Sequence, residues 1–113
     1  MSVKSFLEDV KFDSNKIQTN VILETPSCKE IRIVFPKGQV MKRHFSPYPI
    51  IIYVVKGLVE LGLEETIFSM SGGYIIALEA GMIHNLVAKE DTLIRLTLSK
   101  QDKIKRVDKV AKF

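Results

Sequence analysis

The sequence predicts an all-β protein, a small barrel or jelly roll of antiparallel strands with a short C-terminal helix. Three observations lead there. About eight or nine short apolar or β-branched stretches follow one another, with turn residues roughly every six to ten positions. The most apolar of them, IIIYVVK at 50–56, is too short for a buried helix and is bounded by Pro49 and Gly57. TLIRLTL at 92–98 alternates Leu93, Arg95 and Thr97 against Ile94, Leu96 and Leu98, the period of a half-buried strand. Nothing repeats at a longer fixed period, and 113 residues suit one domain around a single small core. Within it we expect an arm and first strand over 1–28, the barrel over 29–99, and a basic helix packed on the barrel over 100–113.

The elements follow in order. Residues 1–15 predict an irregular arm: Ser5 and Glu8 have capping-box spacing, but at most one helical turn fits before Phe12 and Asp13. IQTNVILE (17–24) and KEIRIVF (29–35) flank the turn TPSC and predict a hairpin. Pro36, Lys37 and Gly38 turn the chain into a short strand that runs through Val40 to His44. Pro47 and Pro49 stop the pairing, since neither can donate to a ladder and each restricts the residue before it.

IIIYVVK is apolar enough to predict burial on both faces, one in the barrel and one against a neighbouring sheet or a second subunit. LVELGL and EETIFSM form strands around a solvated Glu64–Glu65 tip, and SGG closes them. YIIAL (74–78) and MIHNLVA (82–88) are short strands split by Glu79, Ala80 and Gly81. After the strand at 92–98, Ser99 and Asp102 offer a cap, and Ile104, Val107, Val110 and Ala111 recur at helical spacing.

Composition narrows the function classes. No apolar run approaches the ~20 residues of a membrane span, and the acids in MSVKSFLEDVKF do not suit a signal peptide, so a soluble cytoplasmic protein is expected. Cys28 is the single cysteine, which rules out an internal disulfide and a cysteine metal cluster. The net charge of +4 lies wholly in residues 100–113; the first 99 residues hold 11 basic and 11 acidic side chains. A basic face interleaved with stacking aromatics is missing, so no nucleic-acid partner is expected, and no membrane partner either. SMSGG precedes a strand rather than a helix and so lacks the setting of a hydrolase nucleophile. Arg32 and Arg95 are read as outward and solvated, with inward anion hooks as the alternative.

The two histidines stand in a recognisable frame. Gly38, His44 and Gly57 fall on a motif that runs Gly, five residues, His-x-His, three or four residues, Glu, six residues, Gly; Ser46 replaces its second His and Ile50 its Glu. Gly73, Gly81 and His84 fall on a second motif, Gly, five residues, Pro-x-Gly, two residues, His, three residues, Asn; Glu79 replaces its Pro and Ala88 its Asn. In these positions the chain resembles the cupin family over roughly residues 29–99. HFSPYPI followed by IIYVVKG is also similar to small single-domain cupins whose first motif reads His-x-(Ser/Thr)-Pro. The resemblance implies a cupin-type barrel, a double-stranded β-helix, with a homodimer as its assembly and with two of the first motif's metal-ligand positions lost.

By strand alternation, if His44 points into the barrel so do Ser46 and, across the proline bend, Ile50, Ile52 and Val54, and if His84 points in so do Met82, Leu86 and Ala88. The expected ligand pocket is therefore His44, Ser46, Ile50, Ile52, Val54, Met82, His84 and Leu86. The leading reading is a small-molecule binding or sensing barrel whose two imidazoles are hydrogen-bonding groups in an apolar pocket. A second is a metal-dependent enzyme of dioxygenase or isomerase type, holding Fe, Mn, Ni or Zn weakly through His44 and His84, with Ser46 or Tyr48 as an oxygen ligand. A third is an assembly module whose histidines are structural or exposed.

Overall fold

The computed structural model describes residues 2–100, and its regular structure is nine strands in two antiparallel sheets. In chain order these are β1 (Gln18–Glu24), β2 (Cys28–Phe35), β3 (Val40–His44), β4 (Ile50–Lys56), β5 (Leu58–Leu63), β6 (Thr66–Ser71), β7 (Ile75–Leu78), β8 (His84–Ala88) and β9 (Thr92–Ser99). One sheet has the order β1-β2-β9-β4-β7 and the other β3-β8-β5-β6. The expected all-β architecture is therefore present. The helix expected over 100–113 falls, apart from Lys100, outside the described residues.

Register explains the core. Ile33 on β2 faces Ile94 on β9, which faces Val54 on β4; Ile52 faces Leu96 on one side and Ile76 on the other. In the second sheet, Leu61 on β5 sits between Leu86 on β8 and Phe68 on β6, and Val59 between Ala88 and Met70. These residues alternate along their strands, so each sheet turns one apolar face to the other. Ile52, Val54, Val59, Leu61, Leu86 and Ile94 bury essentially all their surface in one shared cluster. Burying a side chain of this size stabilises by roughly 1.5–3 kcal/mol.

The framework glycines have a backbone reason. Gly38, Gly57, Gly73 and Gly81 all take positive φ, a region that side chains bearing a Cβ rarely enter. Gly57 is the most constrained. A Cβ there would lie 2.6 Å from the Asp91 carbonyl oxygen and against the Thr92 hydroxyl. Thr92 is fully buried, and its hydroxyl accepts from Leu58 N–H at 3.1 Å while lying 2.8 Å from the Glu90 carbonyl oxygen it can donate to. Close approach at Gly57 thus joins the β4–β5 turn to the start of β9.

The outer face of the five-stranded sheet departs from expectation. Arg32 points outward, as predicted, but is buried rather than solvated: its guanidinium donates to the Phe6 and Glu8 carbonyl oxygens and to Asn20 Oδ1. It thereby pins the N-terminal arm, which carries no helix over the described residues; Ser5 Oγ accepts from Leu7 N–H as a local turn. Beyond the arm, Arg95 makes a two-pronged pair with Glu30 at 2.9 Å and 2.9 Å, and Thr97 donates to Glu30 at 2.6 Å. The outward residues of β4 are less covered than the all-apolar sequence suggested: Ile51 is exposed and Tyr53 half-buried, so among the described residues β4 buries one face only. No helix among the described residues is long and apolar enough to cross a membrane.

Candidate functional site

His44 ends β3 and His84 opens β8, and the antiparallel register pairs them directly. Two residues of β3, Lys42 and Arg43, lie between the pairs Met41–Leu86 and His44–His84 where β8 has only Asn85; this bulge re-aims the end of β3 at His84. The ring centroids are 4.4 Å apart and the planes tilted by 52°. His84 is buried and His44 exposed, so the pair spans the boundary between core and solvent.

The hydrogen bonds decide the tautomers. His44 Nδ1 lies 2.7 Å from the Lys42 carbonyl oxygen and His84 Nδ1 lies 3.0 Å from the Met82 carbonyl oxygen. A carbonyl oxygen can only accept, so each Nδ1 carries the proton. In each neutral ring Nε2 is then a lone-pair acceptor. Burial holds the His84 pKa below the usual imidazole value, against the Met82 carbonyl bond, with the neighbouring His44 lowering it further. Its Nε2 has no hydrogen-bond partner among the described residues, yet it is not sealed from solvent.

Beside the pair lies an open cleft of about 510 Å³, lined by Arg43, Leu63, Glu64, Thr66, Phe68, Gly81, Met82 and Ile83. Neither histidine lines it, but it adjoins them in chain and register: Arg43 precedes His44, Ile83 precedes His84, and Leu63 is the cross-strand partner of His84. Thr66 and Phe68 share that inward face on β6, an edge strand with no neighbour on its far side. Phe68, Met82 and Ile83 therefore keep 42%, 37% and 48% of their surface exposed, an apolar wall that the core does not cover.

The pocket expected from sequence is divided. His44 and His84 come together. Ile50, Ile52, Val54 and Leu86 face inward as expected, but they pack in the closed core, because β-branched side chains on facing sheets fill a barrel this small. Met82 lines the cleft from a loop rather than a strand: β8 begins only at His84, and Met82 N–H is held by the Glu79 carbonyl oxygen at 3.2 Å. Ser46 tethers that loop, its carbonyl oxygen accepting from Gly81 N–H at 2.8 Å while its hydroxyl accepts from Tyr48 N–H. Arg43, Thr66 and Phe68 were not singled out from sequence. Only the edge position of β6 shows that its inward residues lack a facing layer.

For a metal, the donor set is two imidazoles. Among the described residues no group of three or more His, Cys, Asp or Glu side chains comes together. Transition-metal sites use three or four protein ligands, and the described His, Cys, Asp and Glu side chains bring no more than two of these together here.

The architecture and the placement of His44 and His84 can be set beside known proteins. An RmlC-like cupin protein from Desulfovibrio desulfuricans superposes with a TM-score of 0.79 at 20% identity, covering 88% of this chain and 96% of that one. An uncharacterized conserved protein with a double-stranded β-helix domain from Klebsiella pneumoniae gives 0.75 at 18% identity, covering 90% and 91%. This chain has a small cupin-type fold. The cupin frame is shared as well with KdgF from Halomonas sp., at a TM-score of 0.70 and 27% identity over 80% of this chain and 84% of that one. No family model and no curated protein sequence matches the chain.

Proposed function

We propose that this cupin domain binds a small molecule in the cleft beside His44 and His84, without a resident metal. The observation that carries the reading is the fixed orientation of both rings: main-chain carbonyl oxygens hold each Nδ1–H, and the paired rings adjoin in chain and register the residues that wall the cleft. A volume of this size suits a compact ligand, and a few placed polar groups in an apolar wall are what orient one. The imidazoles accept a hydrogen bond from a ligand O–H or N–H, and Leu63, Phe68 and Met82 take its apolar part.

Thermal-shift screening of a small-molecule library, followed by NMR mapping of the hits, tests this. Hits are expected to perturb His84, Met82 and Phe68 and to weaken by at least about tenfold in His84→Phe, which keeps the ring volume and removes the acceptor. Hits that map elsewhere, or a library that yields none, would end the reading. Fe, Mn, Ni or Zn added to the protein is expected to wash out on dialysis; stoichiometric metal that survives it and is lost in His44→Ala would favour the metal-dependent enzyme instead.

A further inference from the structure

We propose that the ligand of this cleft is a monocarboxylate with an apolar body, its carboxylate bound by Arg43. The inference rests on the small-molecule reading above and adds the chemical class.

The argument starts from which polar groups of the cleft are free. Arg43 lines the cleft and makes no ion pair or hydrogen bond among the described residues. Arg32 and Arg95, by contrast, are engaged by main-chain carbonyl oxygens and by Glu30. A guanidinium presents parallel N–H donors that match a carboxylate two at a time, which makes it a better anchor than a point charge. A guanidinium is charged at every working pH, whereas a neutral imidazole offers an anion only the one N–H that main-chain carbonyl oxygens already hold here. Among the cleft's polar side chains Arg43 is therefore the anion site.

Glu64 sets the charge of the ligand. It lines the same cleft, forms no ion pair with Arg43, and holds φ +51 at the hairpin tip, a left-handed conformation unfavourable for a residue with a Cβ. A second negative charge on the ligand would meet this carboxylate, so one charge is accepted and two are disfavoured. Phe68, Leu63, Met82 and Ile83 supply the apolar wall, and the cleft is large enough for a body of aromatic-ring size.

The test uses matched pairs. Benzoate, phenylacetate, 3-phenylpropanoate and hexanoate, each with its neutral primary amide, are titrated into isotopically labelled full-length protein and followed by NMR. At least one acid should bind about tenfold or more tighter than its amide. Arg43→Gln should erase that preference, bringing each acid's affinity down to that of its amide, with a native spectrum showing that the variant is folded. Hexanedioate should bind more weakly than hexanoate, and Glu64→Gln should narrow the gap. Amides binding as well as acids would overturn the anion assignment while leaving a small-molecule cleft intact. An acid preference that survives in Arg43→Gln would place the anion elsewhere. Failure of every acid and amide in the set would overturn this proposal; the wider library screen would then decide the reading beneath it.

Discussion

Single residues here carry more than their chemistry suggests. Gly57 is needed both for its φ of +107 and because its missing side chain lets Asp91 and Thr92 close on the β4–β5 turn. Gly57→Ala should destabilise the protein by about 2–3 kcal/mol, combining an unfavourable backbone region with a clash against main chain. Urea denaturation checks it, and Gly38→Ala is the control: Gly38 also has positive φ, but nothing lies within 4 Å of its added Cβ, so its cost should be smaller. The same glycines explain why so degenerate a pair of motifs was still readable. Ser46 and Ile50 erase ligand chemistry, whereas Gly38, Gly57, Gly73 and Gly81 preserve backbone geometry, and the fold depends on the second.

At the scale of elements, strand alternation was legible wherever two layers faced one another. β4 buries Ile50, Ile52 and Val54 and β5 buries Val59 and Leu61, as their alternation selects, whereas on β9 Ile94 is buried, Leu96 and Leu98 are half-buried, and Leu93 from the other face is buried as well. It failed where a strand has only one neighbouring layer or none. Phe68 on β6 has the sequence character of a core residue yet remains exposed, because an apolar residue on an edge strand reads the same as one in the middle of a sheet. Arg32 failed in the opposite sense: nothing in its own strand reveals that a distant arm will fold over it.

The outer-face network gives a prediction at this scale. Arg95 holds the Glu30 carboxyl below its usual range, opposed by burial and helped by Thr97. A carboxylate whose folded pKa is depressed stabilises the fold above its unfolded value, about 4.5, and loses that contribution as pH falls through the lower folded value. Arg95 is half-exposed, so screening reduces the gain, and Glu30→Gln should cost about 1–2 kcal/mol at pH 7. Denaturation midpoints of wild type and variant should converge as pH is lowered past 4.5. A constant difference down to pH 3 would show that the cost comes from packing rather than charge.

For the molecule as a whole, the uncovered part of the outer face bears on assembly. Ile51 and Ile75 are exposed there, beside half-buried Tyr53, and the Arg95–Glu30 pair borders a shallow depression between them. We propose that a second copy of the chain covers this patch, giving a homodimer through β4 and β7. Light scattering at micromolar concentration should report twice the chain mass for wild type and a monomer for Ile75→Glu, with thermal stability lost only to the extent that the dimer is lost. A wild-type monomer would sink the proposal.

The strand order also has a consequence for how the chain is made. β9 lies between β2 and β4, so the five-stranded sheet has no continuous middle until residues 92–99 have left the ribosome. Until then the apolar faces of β2 and β4 wait without their shared partner, and long-range pairing of this kind is slow and prone to association. Chains released after truncation just before Thr92 should need a chaperone to stay in solution, and those released after truncation just past Ser99 should not.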